Sequence, residues 1–248
     1  MTNRVITGKV LFIGAHPDDI EIGCGGTAAK YDALGHQIAF AIASRSVDPA
    51  KARKRKAEAI KAARMLGLSE EAENLFFGDL PDGQLDQKQN DLRDWLKRIL
   101  ARFEPETVFT HRQDAHTDHA ALYKVSVGVF QNKNVLLYKI PRPSPDEAFT
   151  PNHAEDISNY ISKKIAMCKC HASQDEIYIG KDSVRTNGHN CYIDWYGREH
   201  PKKTGYAEGF LIHASRSPVD QRASTEMPIL NYEVRVVEKA DGTRRWEE

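Results

Sequence analysis

Short apolar runs alternate with longer amphipathic stretches as far as about residue 140. Val10-Leu11-Phe12-Ile13 opens the series and predicts a strand over 10–14. Gln37 to Ser44 is nearly continuous in apolar residues, the pattern of a strand covered on both faces. Shorter runs at 74–77, 107–110 and 135–138 predict three further strands. Between them the apolar positions recur at helical spacing. Residues 24–35 predict a helix that stops at Gly35. Residues 51–66 predict another, with Ala59, Ile60, Ala63 and Leu66 as its apolar stripe and Gly67 as its stop. Residues 88–102 turn Leu92, Trp95, Leu96, Ile99 and Leu100 inward before Glu104-Pro105 breaks the pattern, and residues 117–131 form a fourth helix.

This alternation predicts an α/β fold with a mostly parallel sheet, and the arrangement expected is a Rossmann-like three-layer sandwich of order 3-2-1-4-5. The texture changes at Pro141-Arg142-Pro143-Ser144-Pro145. Residues 154–172 predict one more helix, followed by short mixed segments punctuated by glycine. Leu230 to Glu238 predicts a strand, with Asp241-Gly242 as a hairpin turn before Arg244-Arg245-Trp246. That strand offers an edge to a second copy of the chain, a homo-oligomer. The organisation expected is a single domain over 1–248. It comprises a core over 1–140 and a C-terminal helix and cap lobe of mixed short elements over 141–248.

Composition narrows the class. With 40% hydrophobic and 28% charged residues over 248 positions, the chain is globular. Lys+Arg and Asp+Glu both number 35, so the basic excess of a general nucleic-acid binder is missing. No apolar run is long enough to span a membrane. No hydrophobic leader precedes the first strand, so no signal peptide is expected. Cys24, Cys168, Cys170 and Cys191 fit no disulfide framework, and a reduced cytoplasmic chain is expected. Cys168-Lys169-Cys170-His171 lacks a C-x-x-C pair, lies in a helical pattern, and reads as structural.

Two polar clusters stand out against this background. Gly14-Ala15-His16-Pro17-Asp18-Asp19-Ile20-Glu21 follows the first strand and puts one imidazole and three carboxylates within six residues. Charges at the exit of a buried strand cost free energy unless they are paired or bind a metal. Alone, the loop also reads as a capped turn. The second cluster follows the fourth strand: His111-Arg112-Gln113-Asp114-Ala115-His116-Thr117-Asp118-His119 holds three of the ten histidines. His116 and His119, three apart at a helix start, face a common point, and Asp118 between them can reach a ring nitrogen. In the order 3-2-1-4-5 the first and fourth strands are neighbours where the order reverses, so the clusters face one crevice. A His and an Asp from one loop plus a His from the other make three ligands with an open position, the catalytic pattern for zinc.

Ala15-His16-Pro17-Asp18-Asp19-Ile20-Glu21 together with His116-Thr117-Asp118-His119 resembles the LmbE-like (PIG-L) zinc-dependent de-N-acetylase family. Supporting similarities are Arg55-Lys56-Ala57-Glu58, Leu80-Pro81-Asp82-Gly83, Ser173-Gln174 and Tyr206-Ala207-Glu208-Gly209-Phe210. Thr117 departs from the Pro that many members carry there, at a position that holds no metal. The loop after the second strand and the last third are less family-like, and there substrate choice would be set.

The resemblance implies His16, Asp19 and His119 as ligands to Zn2+, with Fe2+ as another divalent ion the set accepts. It implies Asp18 as the general base on metal-activated water. Protonated His116 would then stabilise the oxyanion, with Asp118 holding its imidazole. The amine would leave with a proton from either His116 or Asp18. Arg55 and Asp82 would hold the substrate, an N-acetylated amino sugar or its glycoside. Glu21 reads as a supporting carboxylate, Asp114 and His111 as supports of the second loop, and Glu208 and His213 as cleft residues of the C-terminal lobe. Gly23-Cys24-Gly25-Gly26 matches neither dinucleotide nor P-loop spacing and reads as close packing. The competing readings are a metal-dependent hydrolase of another small amide or ester, and a sugar-binding module without catalysis. The full set of six polar residues argues against the latter.

Overall fold

A computed structural model describes residues 8–140, 151–174 and 207–214, and the backbone of 235–238 and 244–247. The strands are β1 (Val10–Gly14), β2 (Ile38–Arg45), β3 (Leu75–Pro81), β4 (Thr107–His111), β5 (Asn134–Tyr138), β6 (His153–Asp156), β7 (Ala207–Ala214), β8 (Arg235–Glu238) and β9 (Arg244–Glu247). The helices are α1 (Asp19–Ala33), α2 (Pro49–Arg64), α3 (Gln89–Phe103), α4 (Thr117–Val129) and α5 (Ile161–Cys168).

Seven strands form one sheet in the order β3-β2-β1-β4-β5-β7-β6. The first five pair in parallel, as expected, and β1 lies between β2 and β4. Alternate residues of each strand feed opposite layers. Val10, Phe12, Phe40 and Ile42 pack with α1, α2 and α5. Leu11, Ile13, Ala39, Ala41 and Ala43 pack with α3 and α4. All five residues of β1 are buried. Each large apolar side chain removed from water in this way contributes roughly 1.5–3 kcal/mol. β1, buried along its whole length, is therefore costly to displace, and it carries the first polar loop.

Three elements differ from expectation. The first helix starts at Asp19 rather than 24, and residue 24 marks a kink instead, with Cys24 at φ −149°. The glycine-rich run reads as a turn because its local preference is non-helical, but tertiary partners satisfy the broken helix. Lys164 Nζ donates to Ile22 O at 2.8 Å. Gly26 N and Thr27 N donate to the Glu208 carboxylate at 3.0 and 2.7 Å. A Cβ on Gly23 would lie 2.3 Å from the Tyr138 ring, so glycine is required there by contact.

Secondly, the helix expected over 154–172 is shorter, and β6 takes its first residues. Residues 153–156 pair antiparallel with 207–210, a partner about fifty positions away that local periodicity does not reveal. Thirdly, the C-terminal segment extends the sheet, since β7 runs antiparallel beside β5. Of the strand expected over 230–238, residues 235–238 are present as β8, paired antiparallel with β9, and 230–234 lie outside the described residues. The turn expected at Asp241-Gly242 lies outside the described residues. Cys168 and Cys170 are buried free thiols.

Candidate metal centre

Both polar loops lie at the carboxyl ends of adjacent strands, as the topology demands. β1 ends at Gly14 and releases His16-Pro17-Asp18 into α1. Asp18 takes a left-handed backbone, φ 110°, which costs a non-glycine residue of order 1–3 kcal/mol. The turn is held from both sides. His16 N donates to Asp19 Oδ2 at 2.7 Å, and Arg55 Nη2 donates to Pro17 O at 3.1 Å. β4 ends at His111, and His116 caps α4 by accepting at Nδ1 from Asp118 N, 3.2 Å away.

Asp19 is the hub. Its Oδ2 lies 3.3 Å from His16 Nδ1, 3.0 Å from His111 Nε2 and 3.6 Å from His119 Nε2. Burial works to raise this carboxyl, but the neighbouring His111 and His119 imidazoles outweigh it and hold it well below the usual range. Asp114 Oδ2 meets His119 Nδ1 at 2.7 Å. That hydrogen bond assigns the proton to Nδ1 and leaves the Nε2 lone pair for the site. His119 Nε2 is buried without a hydrogen-bond partner. Burial, reinforced by His111, lowers the His119 pKa, so the ring stays neutral as a ligand must.

Ligand atoms of His16, Asp19 and His119 all fall within 4.8 Å of one another. Two imidazoles, one carboxylate and an orphaned ring nitrogen suit a zinc-like divalent ion. A second group, His16, His116 and Asp118, meets the same distance limit and shares His16. Burial lowers the His16 pKa, but the carboxylates of Asp118, Asp19 and Asp82 outweigh it and raise the ring well above its usual value, so a metal held there would displace its proton.

Asp18 lies beside this set, 2% exposed, with both carboxylate oxygens lacking a hydrogen-bond partner. Burial, aided by the Asp19 charge and opposed by Arg55, pushes its carboxyl up to about 7. Arg55 Nη2 is 3.7 Å from Asp18 Oδ1, and Arg55 Nη1 is 3.6 Å from Asp82 Oδ2. Asp82 Oδ1 is in turn 3.2 Å from His16 Nε2. Arg55 and Asp82 thus join the cluster, from α2 and from the loop after β3.

The expected pairing of Asp118 with the His116 ring is not the one the structure displays. The Asp118 carboxylate meets His16 Nε2 at 3.1 Å and accepts from Gly83 N and Leu85 N at 2.7 and 3.0 Å. Buried among those donors, it bridges three loops. The His116 ring stacks on His119, centroids 4.5 Å apart. Glu208 is fully buried beneath the α1 kink rather than in a cleft, and His213 is exposed with its ring 6.0 Å from that of Tyr123. Glu21 supports the loop from behind, 3.2 Å from His171 Nε2.

Sequence reasoning missed the part Tyr138 plays. Tyr138 Oη donates to Ile13 O at 2.7 Å and lies 3.2 Å from His111 Nε2. The one signal for Tyr138 was its place at the carboxyl end of the strand next to β4. His171, read as structural within Cys168-Lys169-Cys170-His171, is buried against Glu21 behind the first loop.

A Rossmann-like sheet carrying a His/Asp centre at its carboxyl edge defines the class. The sequence profile for PIG-L, GlcNAc-PI de-N-acetylase, matches residues 11–130. A relative from Escherichia coli K12, described as the uncharacterized deacetylase YaiS, is 31% identical over 175 residues, covering 66% of this chain and 90% of that protein. The chain belongs to the PIG-L (LmbE-like) de-N-acetylase family and is an N-deacetylase. Among solved structures, the conserved protein TT1542 from Thermus thermophilus superposes with TM-score 0.66 at 24% identity, over 84% of this chain and 96% of that one. The N,N'-diacetylchitobiose deacetylase of Pyrococcus horikoshii gives 0.65 at 22% identity, over 82% and 83%. At those identities the structural likeness speaks for the fold. No helix among the described residues is long and apolar enough to cross a membrane.

Proposed function

We propose that this chain is a metal-dependent hydrolase that removes the acetyl group from an N-acetylated amino sugar or its glycoside. The observation that carries the reading is a buried Asp18 carboxylate with no hydrogen-bond partner, beside three converging donors, His16, Asp19 and His119. Those donors would hold Zn2+ or Fe2+, which when bound polarises the acetamide carbonyl and acidifies water. Asp18 takes the proton of the attacking water. A carboxyl near pH 7 is matched to that task, and its left-handed turn keeps it beside the donors. Asp114 fixes the His119 ring, and Asp118 fixes His16 against the loop after β3. His116, at the start of α4, donates to the oxyanion as the carbonyl becomes tetrahedral. His116 or Asp18 then protonates the departing amine. Arg55 and Asp82 border the same space and hold sugar hydroxyls.

The test is a panel of N-acetyl sugars and glycosides, with unrelated amides and esters alongside, incubated with the metal-loaded protein and read by mass spectrometry. Loss of acetyl from the sugars, with free amine appearing, is the expected result. Turnover of the other amides or esters with none of the sugars sinks the reading.

A further inference from the structure

A groove of about 250 Å3 opens beside the candidate centre, sharing Pro17 and Arg55 with it. Its other walls come from the end of β2, the first turns of α2 and the edge strand β3, including Arg45, Arg53, Lys56, Phe77 and Asp79. Its charge is lopsided in a chain whose net charge is zero. α2 carries seven Lys and Arg residues against one Glu. Two of the groove's cations are already engaged. Arg55 faces Asp18 and Asp82, and Lys56 meets Glu70 at 3.2 Å and sits over the Phe77 ring. Among the described residues no ion pair engages Arg45 or Arg53. Arg53 adds only a minor pull on the exposed Asp48, whose carboxylate caps α2.

Two uncommitted guanidinium groups along a concave wall, with a single carboxylate facing them, form a receptor for an anion. Guanidinium binds phosphate and carboxylate oxygens through paired N–H donors. Pro17, Pro49 and Ala52 supply apolar carbon in the lining, against which a carbon framework would lie. Because Pro17 and Arg55 border both spaces, a substrate at the metal centre can extend an anionic substituent into the groove.

We propose that this groove is a second substrate subsite that takes a phosphate or carboxylate substituent on the N-acetylated sugar, with Arg45 and Arg53 as its charged contacts. The assignment rests on the deacetylase reading above for what carries the anion. The anion recognition itself stands on the groove. A neutral glycoside would bind through its sugar alone, whereas an anionic one would gain the groove as well.

Two measurements on the full chain test this. The first is calorimetric titration with inorganic phosphate, which needs no turnover. Phosphate is expected to bind the wild type and to bind the R45Q/R53Q variant at least about tenfold more weakly, while R45K/R53K keeps most of the affinity. Equal phosphate affinity in the wild type and R45Q/R53Q, or no phosphate binding to either, overturns the subsite. The second compares kcat/KM for N-acetylglucosamine 1-phosphate and methyl N-acetylglucosaminide. The anionic substrate is expected to lead by about tenfold or more, through KM, with the lead shrinking as salt rises. Equal kcat/KM values, or a lead for the neutral glycoside, overturn a substrate-borne anion. If neither sugar is turned over, the sugar reading fails, and the phosphate titration alone upholds or overturns the groove.

Discussion

Asp18 concentrates the argument at the residue scale. It is buried, without a hydrogen-bond partner, and pushed up to about 7, a state that local packing alone does not reward. Asp18→Asn should keep the three donors and the bound metal, yet lower kcat by about 10² to 10⁴-fold. Metal content by mass spectrometry, read beside a steady-state assay, separates the two effects, and an unchanged kcat removes Asp18 from the proton's path. Asp114→Ala should do the opposite and weaken metal binding by roughly 10 to 100-fold, because His119 loses the partner that fixes its ring. A competition assay against a metal-binding dye measures that directly. His16, Asp18 and Asp19 were legible because they crowd one turn where burial makes charge expensive. The contact of Asp118 with His16 was not legible, because it depends on where the loop after β3 places Gly83 and Leu85.

Among the elements, α1 shows best how local preference and tertiary structure compete. Its glycine-rich middle looks like a boundary, and a chain reading only its neighbours would stop there. The helix continues because Lys164 from α5 and Glu208 from β7 take up the carbonyl and N–H groups that the kink at Cys24 exposes. Both side chains are almost fully buried and pair with each other. Glu208→Ala would break the buried ion pair with Lys164 and should cost about 3–5 kcal/mol in chemical denaturation. Glu208→Gln keeps hydrogen-bonding capacity and should cost less. Equal stability of both variants and the wild type would show that the kink stands without them. The strands covered on both faces were easy to read from their apolar runs. β6 was not, since four residues carry little periodicity and their partner comes much later in the chain.

For the whole molecule, Glu155 ties the C-terminal segment to the first layer. It meets Lys30 Nζ at 2.6 Å, Tyr31 Oη at 2.5 Å and His153 Nε2 at 2.9 Å. Burial works to raise its carboxyl, but the hydrogen bond and charge of His153, with those of Lys30, outweigh it and hold it at about 2. A folded pKa below the unfolded value of 4.5 means stability that is complete above pH 4.5 and lost as pH falls toward 2. The gap corresponds to about 3 kcal/mol at most. Unfolding free energies measured across that window should fall more steeply for the wild type than for Glu155→Gln, which starts lower at neutral pH. Parallel slopes would assign the acid loss to other groups. The parallel sheet was legible from alternation, and its order 3-2-1-4-5 is that of the doubly wound pattern expected for it. The two antiparallel strands beyond β5 were not, because nothing local marks a strand as returning to an existing sheet.

The position of β1 between β2 and β4 also sets an order of events during synthesis. His16 and Asp118 touch, yet they are 102 residues apart. At about 5–20 residues per second, a ribosome releases the first loop roughly 5–20 s before the second. Over that interval β1 can pair with β2, but His119 does not yet exist outside the tunnel. On the proposed metal-dependent reading, the nascent chain cannot complete its donor set until β4 has docked, and metal loading would report that the sheet has closed on both sides of β1.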